Sequence, residues 1–96
     1  MNVKVEIYTR QYCTLCERAK DLLRIKGVSF AEHDITDDHL KAAEMRQHSQ
    51  KQNVPNIFID DVSIGSCTEL FDLDERGALD SLLGLEPRRV TLSPDR

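Results

Sequence analysis

The chain has no tryptophan, and tyrosine and phenylalanine together supply only 5% of its 96 residues. Basic patches interleaved with aromatics are absent, and the net charge is −4, so no nucleic-acid partner is expected. No apolar stretch is long enough to cross a bilayer, so no membrane association is expected. Lys4 and Glu6 interrupt any apolar run near the N-terminus, which argues against a standard secretory signal. Cysteines number three, an odd count that does not suit a fully paired secreted framework. A reducing cytoplasm fits better, with the thiols used for chemistry. Four glycines and three prolines leave no low-complexity segment or flexible linker.

What is present is enough for one domain. The length leaves no room for a second domain, yet suffices for a core without staples. Val3, Val5 and Ile7 alternate with Lys4 and Glu6 in a strand predicted over 3–8. Leu15, Ala19, Leu22 and Leu23 form one helical stripe over 14–26. Glu17, Arg18, Lys20, Asp21 and Arg24 lie mostly off it, and Gly27 ends the helix. A second strand over 28–35 then requires a right-handed parallel crossover. Asp37 or Asp38 caps a second helix reaching about Gln50, with a thin stripe of Leu40, Ala43 and Met45. A third strand over 54–59 and a short fourth over 62–64 are joined by Asp60-Asp61 and must pair antiparallel. Ser66 and Glu69 read as a capping box opening a third helix, which Gly77 interrupts. Residues 1–86 form the domain, and 87–96 are expected to be a mobile tail. The order β-α-β-α-β-β-α places helices on both faces of a four-stranded mixed sheet, an α/β fold.

Cys13-Thr14-Leu15-Cys16 sits where the first strand gives way to the first helix. Two thiols at that spacing can close a small disulfide ring, and a C-x-x-C there reads as a thioredoxin-like redox site. Cys13 meets the free N–H groups and positive dipole of the helix start, with Arg10 in the same loop. Both favour thiolate, so Cys13 is the expected nucleophile and Cys16, deeper in the helix, the resolving thiol. A zinc site is one competing reading, but zinc wants four ligands, and Cys67, His33, His39 and His48 are scattered. Two inert buried cysteines are the other. Cys67, beside a predicted helix start, either approaches the same site or, the reading preferred, is a small residue packed under a turn, and the histidines read as solvated surface residues. Val54-Pro55 opens the third strand, where a cis bond would turn the Val54 backbone toward a bound peptide. Gly65 followed by a helix N-terminus offers backbone donors to a small carboxylate, unless Ser66 fills them itself.

These segments together resemble the glutaredoxins, most closely the small bacterial glutaredoxin 3 type. The resemblance is carried by Val5–Arg10, Cys13-x-x-Cys16, Ala19-Lys20-x-Leu22-Leu23, Lys26–Phe30, Val54-Pro55-x-Ile57-Phe58-Ile59-Asp60, Ile64-Gly65-x-Cys67 and Leu73-Asp74-x-Arg76-Gly77. It implies a thioredoxin-like fold and a glutathione-dependent thiol–disulfide oxidoreductase acting on protein–glutathione mixed disulfides and protein disulfides. Cys13 then attacks the glutathione sulfur, and Cys16 resolves when the substrate is a protein disulfide. By the same resemblance Arg10, Leu15, Val54, Pro55, Gly65, Cys67 and Thr68 bind glutathione. Arg10 meets the glycyl carboxylate, the Val54 backbone pairs with the cysteinyl part beside cis Pro55, and Cys67 and Thr68 hold the γ-glutamyl carboxylate. Glutathione is the co-substrate, and a monomer is expected.

Three departures stand out. Thr14-Leu15 replaces the family's usual Pro-Tyr, Ser66 a second glycine, and Asn53 a threonine. Thr14 restores an N–H donor near the Cys13 sulfur. If position 66 needs a positive φ, serine is strained there. Losing the proline also opens an alternative, a dimer sharing a [2Fe–2S] cluster through Cys13 and glutathione. A donor reduced by thioredoxin reductase is another. A third, the arsenate-reductase-like regulators, are longer chains with an inserted helical part that is missing here.

Overall fold

A computed structural model of the chain describes residues 3–49 and 53–85. The expected tail over 87–96 and the expected helix end at Gln50 lie outside the described residues. The elements run β1 Val5–Thr9, α1 Thr14–Ile25, β2 Ala31–Asp34, α2 His39–His48, β3 Asn56–Ile59, β4 Val62–Gly65, α3 Cys67–Glu75 and α4 Leu79–Leu82. They build one mixed sheet of order β2-β1-β3-β4, with β1 parallel to β2 and antiparallel to β3, and β4 antiparallel to β3.

The local signals explain where the elements stop. Gly27 takes φ +75, and the N–H groups of Gly27 and Val28 return to Arg24 and Leu23 at 2.9 and 3.3 Å. That pattern is a Schellman cap, which satisfies the last carbonyls of α1. Asp38 is the N-cap of α2, accepting from the Lys41 N–H at 2.9 Å. Asp60 and Asp61, at φ 51 and 68, make the tight hairpin turn between β3 and β4. Gly77, at φ +75, separates α3 from α4.

Period-two alternation along β1 sends side chains to two cores. Val5 and Ile7 join Ile57 and Ile59 under α1, α3 and α4, packing on Ala19, Leu22, Leu23, Leu70, Leu79 and Leu83. Tyr8 and Phe58 face the other way and pack with Ile35, Ala42 and Met45 under α2. Each large aliphatic side chain so buried contributes about 1.5–3 kcal/mol of transfer free energy.

Several expectations need correction. The strands are shorter than the apolar runs: β1 starts at Val5 and β2 at Ala31. Val3, Val28 and Phe30 pack on the core from flanking positions outside the ladder. In α2 the buried residues are Ala42 and Met45, while Leu40 is 82% exposed. Lys20, assigned to the polar side of α1, is buried. Its ammonium sits 2.9 Å from Glu17 and 3.0 Å from Glu32, and the Thr9 hydroxyl donates to Glu32 at 2.7 Å. Burial alone would lower the Lys20 pKa, but its hydrogen bonds to the two carboxylates, and their charge, outweigh it and raise it. For Glu32 burial acts upward, and Thr9 and Lys20 together pull the carboxyl below its ordinary value. His33 is not a solvated residue: its Nε2 lies 3.1 Å from Glu6, and its ring packs 4.8 Å from that of Tyr8.

Candidate active site

Strand register brings the chemistry-bearing segments to one end of the sheet. Tyr8 pairs with Asn56, so Pro55 and Val54 continue beside the end of β1, where the loop to Cys13 begins. Ile57 pairs with Gly65, so β4 delivers the N-terminus of α3 to the same end. The parallel β2 also finishes there, at Asp34.

Cys13 is the N-cap of α1, with extended backbone at φ −109 and ψ 103. Its sulfur accepts the Cys16 N–H at 3.0 Å. The donor that reaches this sulfur is therefore the Cys16 amide rather than that of Thr14, which is exposed at the first helical position. Cys13 and Cys16 are joined in a disulfide with Cα atoms 5.2 Å apart, inside the ordinary range. The two sulfurs are not equivalent: Cys13 is half-buried, whereas Cys16 has no exposed surface. Glu17 lies in the first turn, where the helix dipole favours a carboxylate.

Around this pair the residues named from the sequence fall as follows. Arg10 is exposed in the loop and makes no hydrogen bond or ion pair among the described residues. The Val54–Pro55 bond is cis, and Pro55 is fully buried. Gly65 is buried with φ +117, a conformation that side chains rarely adopt. Ser66 has φ −94, so no strain attaches to serine there. Ser66 and Glu69 close the capping box, with the Ser66 N–H donating to the Glu69 carboxylate at 2.8 Å. The Ser66 hydroxyl also meets that carboxylate. The N–H groups of Cys67 and Thr68, in the first turn of α3, have no intrahelical acceptor.

A cleft of about 330 Å³ runs between α1 and α3, lined by Leu15, Arg18, Cys67, Thr68, Phe71, Asp72 and Glu75. Leu15 is half exposed. The Arg18 guanidinium lies 5.3 Å from the centre of the Phe71 ring, a cation–π contact across the cleft. No local signal singles out Arg18 or Phe71, because their pairing depends on how α1 packs against α3. Cys67 is buried with its thiol unpaired in any disulfide. Burial pushes that thiol's pKa up, against a weaker opposing pull from Arg18.

A family model for glutaredoxin matches residues 5–64 of the chain. Glutaredoxin 3 of Escherichia coli K12 is 52% identical over 79 residues, spanning 82% of this chain and 95% of that protein. The chain belongs to the glutaredoxin family. The solution structure of a glutaredoxin from Brucella melitensis is 45% identical, covers 85% of this chain and 89% of that one, and superposes with a TM-score of 0.74. The crystal structure of a buckwheat glutaredoxin–glutathione complex shares the fold at a TM-score of 0.78 and 24% identity, over 85% of this chain and 77% of that one. The chain therefore has the thioredoxin-like glutaredoxin fold, and its activity is that of a thiol–disulfide oxidoreductase. A Cys13–Cys16 disulfide at the helix start fits such a redox-active site. No helix among the described residues is long and apolar enough to cross a membrane.

Proposed function

We propose that this glutaredoxin uses glutathione to reduce protein–glutathione mixed disulfides and protein disulfides, with Cys13 as the attacking thiolate. The observation that carries the reading is the asymmetry of the two sulfurs. The partly exposed Cys13 caps a helix and accepts a backbone N–H, while Cys16 is sealed beneath it. A helix N-cap stabilises negative charge, so the accessible sulfur is also the one the backbone prepares to be an anion.

The Cys13 thiolate attacks the glutathione sulfur of a mixed disulfide. The substrate thiolate leaves and takes a proton from solvent, and Cys13 is left glutathionylated. A second glutathione thiolate attacks the bound glutathione sulfur, releasing oxidised glutathione and regenerating the Cys13 thiolate. With a protein disulfide, Cys13 forms a mixed disulfide with the substrate, and Cys16 attacks Cys13 to release it. That step leaves the Cys13–Cys16 disulfide, which two glutathiones then reduce.

Several features support a glutathione site beside this pair. Arg10 is free to meet the glycyl carboxylate. Cis Pro55 accompanies a Val54 backbone presented at the site, for pairing with the cysteinyl part. The first-turn N–H groups of Cys67 and Thr68, reached through the sharp turn at Gly65, suit the γ-glutamyl carboxylate. Leu15 supplies an apolar wall at the mouth of the cleft. A reducing cytoplasm is the compartment in which this chemistry would operate.

The test is deglutathionylation of a model peptide by wild type, Cys13→Ser and Cys16→Ser, with glutathione as the only reductant. Cys13→Ser should be inactive and Cys16→Ser active. Activity of Cys13→Ser equal to wild type would overturn the assignment.

A further inference from the structure

A mixed disulfide has two arms, and the cleft between α1 and α3 accounts for only one of them. The other side of Cys13 is built differently. There the β1–α1 loop meets the β2–α2 connection, tied by the Gln11 N–H donating to the Thr36 hydroxyl at 2.9 Å. Between them opens a cavity of about 500 Å³, with Gln11, Asp37 and Leu40 in its lining. Two large apolar side chains stand in solvent at this end: Leu40 at 82% exposure and Tyr12, next to Cys13, at 101%. Exposing an aromatic ring completely forgoes its burial, and Tyr12 also takes a left-handed φ of 59. The fold gains nothing visible from either feature.

The cavity lining is acidic, with His39 beside three aspartates, while the exposed Arg10 stands outside it in the β1–α1 loop. Asp34, Asp37 and Asp38 line the cavity, and its lining contains no lysine or arginine. Hydrogen bonds from the Thr36 hydroxyl and amide hold the Asp34 carboxyl below its ordinary range, so it is ionised at neutral pH. Strand order separates this face from the other cleft. β2 and its connection to α2 leave from one side of β1, while β3, β4 and the start of α3 lie on the other.

We propose that Tyr12 is a specificity-determining residue. With Leu40 and the flanking aspartates it receives the protein arm of the disulfide, selecting a segment that carries an apolar residue and a lysine or arginine beside its reactive cysteine. The exchange itself is unchanged: Cys13 forms the new S–S bond as the segment's cysteine leaves as thiolate. The inference rests on the function proposed above only for the identity of the opposite arm. Tyr12 acts after the manner of interface aromatics, which concentrate binding energy. The aspartates act through charge complementarity, which favours encounter with the right partner.

The experiment compares kcat/KM for two cysteine peptides, one flanked by lysine and leucine and the other by glutamate and leucine, each as a mixed disulfide with glutathione. Hydroxyethyl–glutathione disulfide serves as a substrate with almost no second arm. Wild type should favour the lysine peptide about five- to tenfold at low salt, and less in 0.5 M salt. Tyr12→Ala should lower the peptide-to-hydroxyethyl ratio about fivefold, Tyr12→Phe should restore it, and Asp37→Lys should erase the charge preference. The same peptides as mercaptoethanol disulfides, recycled with dithiothreitol, separate the two proposals. Loss of turnover with glutathione alone counts against the glutathione reading, while a surviving lysine preference upholds this one. Equal rates for both peptides in wild type would overturn it, as would a Tyr12→Ala defect that falls equally on the hydroxyethyl substrate.

Discussion

Gly65 joins the last strand to the helix whose first turn is proposed to hold a carboxylate, so Gly65→Ala tests the packing and the site together. Two costs combine. The backbone at φ +117 lies outside the region side chains accept, a strain of about 1–3 kcal/mol. A Cβ built there would also lie 3.0 Å from the Glu69 Oε1, 3.1 Å from its Cγ and 3.2 Å from its Cβ. Glu69 must then move, which loosens the capping box that it forms with Ser66. Loss of such a cap costs typically about 1 kcal/mol. The sum, about 2–4 kcal/mol, is a large part of a small domain's stability. It corresponds to a fall in Tm of about 10–20 °C. Thermal unfolding by circular dichroism measures it. Glu69→Ala alone should cost about 1 kcal/mol. Adding Gly65→Ala to Glu69→Ala should cost less than Gly65→Ala does in wild type, because the Oε1 and Cγ contacts are gone and only the φ strain and the 3.2 Å contact with the retained Cβ remain. A Gly65→Ala protein melting within about 2 °C of wild type would refute the reasoning, since the strain alone predicts a larger shift. Strict additivity of the two substitutions would refute the steric half. If the first turn of α3 binds glutathione as proposed, KM for glutathione should rise in Gly65→Ala.

Lys20→Met should destabilise the reduced and oxidised forms alike by about 1–2 kcal/mol, since it strands Glu32 while keeping most of the aliphatic packing. The half-exposed carboxylates regain water and limit the loss. The lowered Glu32 pKa means that its contribution is present above the ordinary carboxylate range and lost as pH falls through the lowered value. The raised Lys20 pKa means that its contribution is present below about 10.4 and lost as pH rises through the raised value. The gap between wild type and Lys20→Met in urea titrations should therefore be widest in the neutral range and close at both extremes; a gap independent of pH would contradict the pairing. In the reduced protein, iodoacetamide at neutral pH should label Cys13 rapidly and leave Cys67 untouched until the chain unfolds, because burial keeps the Cys67 thiol protonated and covered. Mass spectrometry of the labelled protein checks this, and fast labelling of Cys67 in the folded state would count against its placement.

Much of the fold was legible because its signals are short-range. The Gly27 stop, the Asp38 cap, the Ser66–Glu69 box and the Asp60-Asp61 turn each depend on backbone groups within four residues. The element order foretold helices on both faces of the sheet, and the second core, on Tyr8 and Phe58, follows because a strand's side chains point to opposite faces. Failures came where polar residues were judged by type alone. Lys20 is one turn after Cys16 and borders the apolar stripe, a position that could have marked it as buried once a carboxylate on β2 was available. His33 reads as solvated from the sequence because its partners, Glu6 and Tyr8, come from a strand more than twenty positions earlier.

By itself the sequence determined that two thiols sit at a strand-to-helix junction, that the elements alternate as they do, and where the helices begin and end. It could do so because helix caps, turns and side-chain periodicity are local properties of the chain. Only the tertiary structure decided that Cys16 is sealed while Cys13 reaches solvent, that Arg18 faces Phe71 across a cleft shared with Cys67 and Thr68, and that Tyr12 stands uncovered beside the disulfide. Those outcomes depend on which surfaces of distant segments meet when the sheet and helices pack, and no window along the chain contains that information.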